Sequence, residues 1–138
     1  MKKIIIFLLL LLTGCSSKID VENMEKVLKD SGYFKYNKVL TSEDINYLFD
    51  IDTSKMKDGF VYYHTTMESA NTVIIVKEND IYNKLIKELE TTWLKDNYNI
   101  YEATKVRKGL KTTYNGYNIY IVTDENNYNV LSLIKQNM

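Results

Sequence analysis

Proline is absent from this chain, cysteine and histidine occur once each, and glycine appears five times in 138 residues. With Cys15 alone there is no pair for an intrachain disulfide and no thiolate zinc site, so stability must come from packing. One histidine, His64, cannot build the usual multi-histidine zinc site, and neither a metal nor a cofactor is expected. As a general base His64 would need a nucleophile and an orienting acid within hydrogen-bond reach. Beside Tyr63 in a strand-like stretch, it reads instead as a packed or half-exposed side chain. Five glycines leave no phosphate-cradling loop, and there is no G-x-S-x-G nucleophile elbow. A basic excess is also missing: 18 basic residues face 18 acidic ones, which argues against a nucleic-acid partner. The acidic stretch Asp50 to Gly59 has oxygens at several calcium-loop positions. Lys55, however, stands where the sharp turn needs glycine, and Val61 where a bidentate glutamate is required, so it reads as a solvated connection. Carboxylate neighbours such as Glu88 and Glu90, or Asp124 and Glu125, read as helix surface and N-cap residues.

What is abundant is lysine (17 against the single Arg107), isoleucine, asparagine and tyrosine, with 12 tyrosines. AT-rich codons favour these four residues, which weakens any functional reading of composition alone. The N-terminus is more specific. Lys2 and Lys3 precede nine apolar residues, Ile4 to Leu12, and Leu12-Thr13-Gly14-Cys15 follows. The apolar run is shorter than the roughly 20 residues a bilayer span needs. The pattern resembles the signal and lipobox of a bacterial lipoprotein. An ordinary secretory signal shares the first two regions; small residues leading directly into the only cysteine favour the lipoprotein form. The resemblance implies diacylglyceryl attachment to Cys15, cleavage after Gly14, and a cell-membrane location on the extracytoplasmic face, held by acyl chains such as palmitate. Residues 1–14 are then signal peptide, 15–19 a lipidated tether reaching on the order of 15 Å, and 20–138 a single domain. The 124 residues left after cleavage carry 16 basic and 18 acidic groups, enough chain for one modest core.

Within the domain, Asp20 caps a helix over Val21 to Asp30 that Gly32 can end, and Thr41 or Ser42 caps a shorter one ending near Asp50. Phe60 to Thr66 and Thr72 to Lys77 are rich in β-branched and aromatic residues and read as a hairpin. Ile81, Tyr82, Leu85, Ile86, Leu89 and Trp93 fall on one stripe of the strongest helix, opened by Asn79 or Asp80. After a polar break at Asp96 to Asn99, a strand from about Thr104 leads to Asn115-Gly116, the dipeptide of a two-residue type I′ turn. That turn pairs Leu110 with Ile121, Thr112 with Ile119 and Tyr114 with Tyr117. Asp124 caps a final helix carrying Tyr128, Leu131 and Ile134. A shift of 46 residues superposes Val73, Ile75, Tyr82 and Leu85 on Ile119, Ile121, Tyr128 and Leu131, an echo between two strand-strand-helix blocks. The expectation is an α+β fold: a four-stranded antiparallel sheet with two long helices on one face and two short N-terminal helices at its side.

The lipobox, the "FDID" segment (Phe49 to Asp52), "SANTVIIVK" (Ser69 to Lys77) and "NGYNIYIVTD" (Asn115 to Asp124) together resemble small Gram-positive lipoproteins built on one domain of unknown function. This chain departs from that pattern at Thr72, where a glutamate is usual. The resemblance implies location and fold and carries no catalytic residues. The expected function is a non-catalytic binding or accessory module of the cell envelope, with a small hydrolase of envelope polymers as the alternative; whether the chain is an enzyme stays open. Partners are the membrane, through the lipid on Cys15, and an envelope protein, peptide or glycan. If both long helices cover one face, the other is free. Tyr120, opposite Ile119 and Ile121, and one of Tyr62 and Tyr63 then form a candidate binding face, since tyrosine offers apolar area and a hydroxyl at low entropic cost.

Overall fold

The computed structural model describes residues 18–95 and 99–138. The signal segment, Cys15 and most of the expected polar break lie outside the described residues. Among these, five strands form a single antiparallel sheet in the order β1-β2-β3-β5-β4: β1 (Asn37–Val39), β2 (Gly59–His64), β3 (Thr72–Val76), β4 (Leu110–Tyr114) and β5 (Tyr117–Val122). Five helices accompany it: α1 (Val21–Asp30), α2 (Ser42–Phe49), α3 (Asn79–Leu94), α4 (Ile100–Arg107) and α5 (Asn127–Gln136).

The α+β class and both hairpins agree with the sequence reading, because local chemistry dictates them. Asp20 accepts a hydrogen bond from the Asn23 amide, and Thr41 and Asp44 form a reciprocal capping box at α2. Asn115 and Gly116 have φ of 50° and 80°, which only a left-handed turn tolerates, and Leu110 pairs with Ile121 and Tyr114 with Tyr117.

Four details differ. The strand expected from Thr104 is the helix α4 up to Arg107: Asn99 caps it by accepting from the Glu102 amide, and β4 begins only at Leu110. The fifth strand, β1, is three residues long and pairs Asn37 with His64 at the sheet edge. The cap of α5 is Asn126, whose side chain accepts from the Tyr128 amide, which leaves Asp124 available elsewhere. Ile19, read from the sequence as part of the tether, is buried.

The largest correction concerns the faces of the sheet. On one face Val61, Tyr63, Ile74, Val76, Tyr120 and Val122 pack against Leu85, Leu89 and Trp93 of α3, Ile45 of α2 and Val106 of α4. On the other, Phe60, Tyr62, Val73, Ile75, Ile119 and Ile121 pack against Met24 and Leu28 of α1 and Val130, Leu131 and Ile134 of α5. The sheet is the middle of three layers, and all five residues of β3 are buried. Burying each such aliphatic side chain contributes about 1.5–3 kcal/mol, so a strand reading Thr-Val-Ile-Ile-Val favours cover on both sides.

Candidate tyrosine-face residues Tyr62, Tyr63 and Tyr120 are therefore core residues, with 2%, 6% and 0% of their surface exposed. Tyr62 and Tyr63 do point to opposite sides, but each side carries helices. Nor does the echo between blocks extend to the helices, since α3 and α5 lie on opposite faces.

Candidate functional site

The strands run between two ends of the sheet. At the end marked by His64, Thr72 and Val122, four connections converge: Gly32 to Tyr36 after α1, the β2–β3 loop, the turn of α4, and Thr123 to Asn126 before α5. Their polar side chains meet around Lys105. Its Nζ lies 2.6 Å from Glu102 Oε2, 2.6 Å from Asp124 Oδ1 and 2.8 Å from Asn71 Oδ1. The side chains of Lys105 and Glu102 are only 8% and 6% exposed, whereas Asp124 is half open to solvent.

Further hydrogen bonds tie the cluster to the backbone. Asn71 Nδ2 donates to Tyr33 O at 2.7 Å and to Asp124 Oδ2 at 2.9 Å, and the Ala70 amide donates to Glu102 Oε2 at 2.6 Å. Burial alone would raise the Asp124 carboxyl; hydrogen bonds from Lys105 and Asn71, with the lysine charge, outweigh it and hold the group below its ordinary range. Removing charges from water costs several kcal/mol per ion, and here all three ammonium protons of Lys105 find an oxygen partner.

Two clefts open on either side of the Lys105–Asp124 pair. One, of about 370 Å³, has Tyr33, Lys35, Tyr36, Glu68, Asp124 and Glu125 in its wall. The other, of about 310 Å³, is bounded by Tyr101, Lys105, Lys108, Thr123 and Asp124. The Lys105 ammonium lies 5.3 Å from the Tyr101 ring centroid, a cation–π contact on a side chain that is 63% exposed. Glu68, Glu102, Asp124 and Glu125 against Lys35 make the first cleft negative even after Lys105 is counted.

His64 borders this end but is occupied. Its Nε2 accepts from Trp93 Nε1 at 3.1 Å and its Nδ1 donates to Thr66 O at 3.0 Å, which fixes the neutral Nδ1–H form. Burial lowers its pKa, against a smaller opposing effect of Thr66 and Glu102. With both nitrogens committed, neither is free to take a proton from a substrate. In the Asp50 to Gly59 loop, Asp52 accepts from the Ser54 amide, and Asp58 from the Tyr117 hydroxyl and the Ile19 amide. Glu90 pairs with Lys111 at 3.7 Å.

Of the residues singled out from sequence, Tyr62, Tyr63 and Tyr120 lie in two different core layers and form no common surface, and Cys15 is outside the described residues. The Asn71, Glu102, Lys105 and Asp124 cluster was not foreseen. Its only local signal is the i, i+3 spacing of Glu102 and Lys105, visible once residues 100–107 are recognised as a helix. No described helix is long and apolar enough to cross a membrane. No family model, curated protein or solved structure matches the chain.

Proposed function

We propose that this chain is a membrane-anchored extracytoplasmic lipoprotein whose domain is a non-catalytic binding module, with the cleft beside the Lys105 cluster as its contact site. The observation that supports the anchor is the run of nine apolar residues leading into Leu12-Thr13-Gly14-Cys15. What supports binding at the cleft is a buried, hydrogen-bonded charge cluster whose one solvent-facing member, Asp124, stands among exposed polar and aromatic groups. Of envelope protein, peptide and glycan partners, the negative cleft favours those presenting amino groups beside apolar surface, a peptide or protein. The hydrolase alternative has no observation of its own, since His64 is engaged and Asp124 is held ionised by Lys105.

Cys15→Ala is expected to release the domain into the medium or leave it as unprocessed precursor; normal processing with full membrane retention would overturn the anchor. Partner capture from solubilised membranes is expected to fall when Glu68 and Glu125 are both changed to lysine, at rim positions where folding is unaffected. Equal capture by a folded double variant would remove this cleft from consideration.

A further inference from the structure

The two ends of the sheet differ in how near they lie to the tether. The described residues begin at Lys18, and the buried Ile19 donates its amide to Asp58 Oδ1 at 3.4 Å. Asp58 also accepts from Tyr117, and Gly59 pairs with Val76, so this corner is at the end of the sheet opposite His64, Thr72 and the Lys105 cluster. We propose that the end formed by Lys18, the Asp50 to Gly59 loop and the Asn115-Gly116 turn lies against the headgroups of the membrane that holds Cys15, and that the Lys105 cleft faces away from it. This rests on the lipid-anchor reading above.

Length decides which end can touch. From Cys15 to Lys18 the chain takes three steps, at most about 10 Å. Along the strand axis, β2 spans roughly 17 Å from Gly59 to His64. The sixteen residues of α3, starting beside Val76 and placing Trp93 against His64, span about 24 Å. A leash of this length cannot carry the Lys105 end to the bilayer while the other end is swung out.

Charge is mixed at this end and leaves three lysines without an ion pair among the described residues. Asp58 and Glu78 accept from Tyr117 and from the Lys57 amide, Asp80 pairs with Lys84 at the surface, and Asp50 and Asp52 are exposed, Asp52 accepting from the Ser54 amide. Lys18, Lys55 and Lys57 are exposed and make no ion pair among the described residues. A bilayer with anionic headgroups attracts such lysines within a Debye length. Between them Ile19, Val39, Leu40 and Met56 border an open groove of about 360 Å³, giving this end an apolar component suited to the interface.

The test uses the full lipidated protein in vesicles of phosphatidylglycerol and phosphatidylethanolamine that carry a headgroup-attached quencher. Single cysteines replace Ser54 or Glu125 and are labelled with bimane; Cys15 carries its lipid as a thioether and does not compete. Quenching is expected to be several-fold stronger for Ser54→Cys than for Glu125→Cys, and the difference should shrink when Lys55 and Lys57 are both changed to glutamate. Equal or reversed quenching in protein that floats with the vesicles overturns the orientation and leaves the anchor standing. Protein that does not float with the vesicles overturns the anchor and the orientation together.

Discussion

Residue identity and residue role part company most clearly at the aromatic and imidazole side chains. Tyr120 looked like a surface residue because Ile119 and Ile121 claimed the core face, yet its ring is fully buried and its hydroxyl donates to Val106 O at 2.9 Å. Alternation along β5 was read correctly, but not that both faces are covered. Gly109 shows how tightly the tyrosine is held, since a Cβ there would overlap the ring. His64 is a similar case: its neighbours Tyr63 and Trp93 stack and edge against it at centroid distances of 4.7 and 5.2 Å, and its nitrogens are bonded. Because burial holds the imidazole below its ordinary 6.5, the unfolded chain binds a proton that the folded chain refuses. Stability from this group is complete above about pH 6.5 and is lost progressively as pH falls below that value. The melting temperature is therefore expected to fall between about pH 6.5 and pH 5.5 in the native chain, and to change far less over that window in His64→Gln. A native profile that is flat there would contradict the bonding assigned to the ring.

Among the elements, α4 does most to set the character of the molecule. Its one buried face presents Val106 to a core layer and, beside it, Glu102 and Lys105 to the polar end of the sheet. Lys105→Ala would leave the Glu102 carboxylate buried with only the Ala70 amide as a hydrogen-bond partner, and removing one partner of a buried pair costs about 3–5 kcal/mol. The partial exposure of Asp124 places the expected loss nearer the lower figure, measured as a shift in urea midpoint. A loss below about 1 kcal/mol would mean that the cluster is solvated rather than bonded. Elements whose cause is local were legible in the sequence: the Asp20 and Thr41 caps, the α3 stripe and the Asn115-Gly116 register all rest on residues within a few positions of each other. β1 was not, because its three residues take their conformation from Leu40 and Tyr36 bonding across to β2 and the residue after it. Nor was α4, whose apolar positions form no clear stripe because its buried face includes a glutamate and a lysine. The Lys105 cluster was illegible for a related reason, since Asn71, Glu102 and Asp124 are separated by long stretches of chain and meet only when the sheet order is known.

For the molecule as a whole, one sheet shared between two core layers sets how it comes apart. Losing α1 and α5 would expose one whole face of Val73, Ile75, Ile119 and Ile121, and losing α3 would expose the other, so neither layer has a partner that remains if the sheet is lost. Alternation places these faces on the same backbone, and the buried run of β3 belongs to both. The layers are thus expected to unfold as one unit. Trp93, the only tryptophan, reports the α3 layer, whereas Leu28 is fully buried in the α1 layer on the far side of the sheet. Leu28→Ala removes buried aliphatic volume, which costs about 2–5 kcal/mol. It should lower the urea midpoint of Trp93 fluorescence and of far-ultraviolet circular dichroism together, by the same amount. Leu89→Ala, placed in the α3 layer, should do likewise, and the two losses should add, because a sheet stands between the sites and they share no contact. Two layers acting independently would give the opposite pattern: in Leu28→Ala, dichroism would lose part of its amplitude early while the fluorescence midpoint stayed where it was. That outcome would mean that the α3 layer and the sheet suffice as a folded core, and that α1 and α5 are a covering added to it.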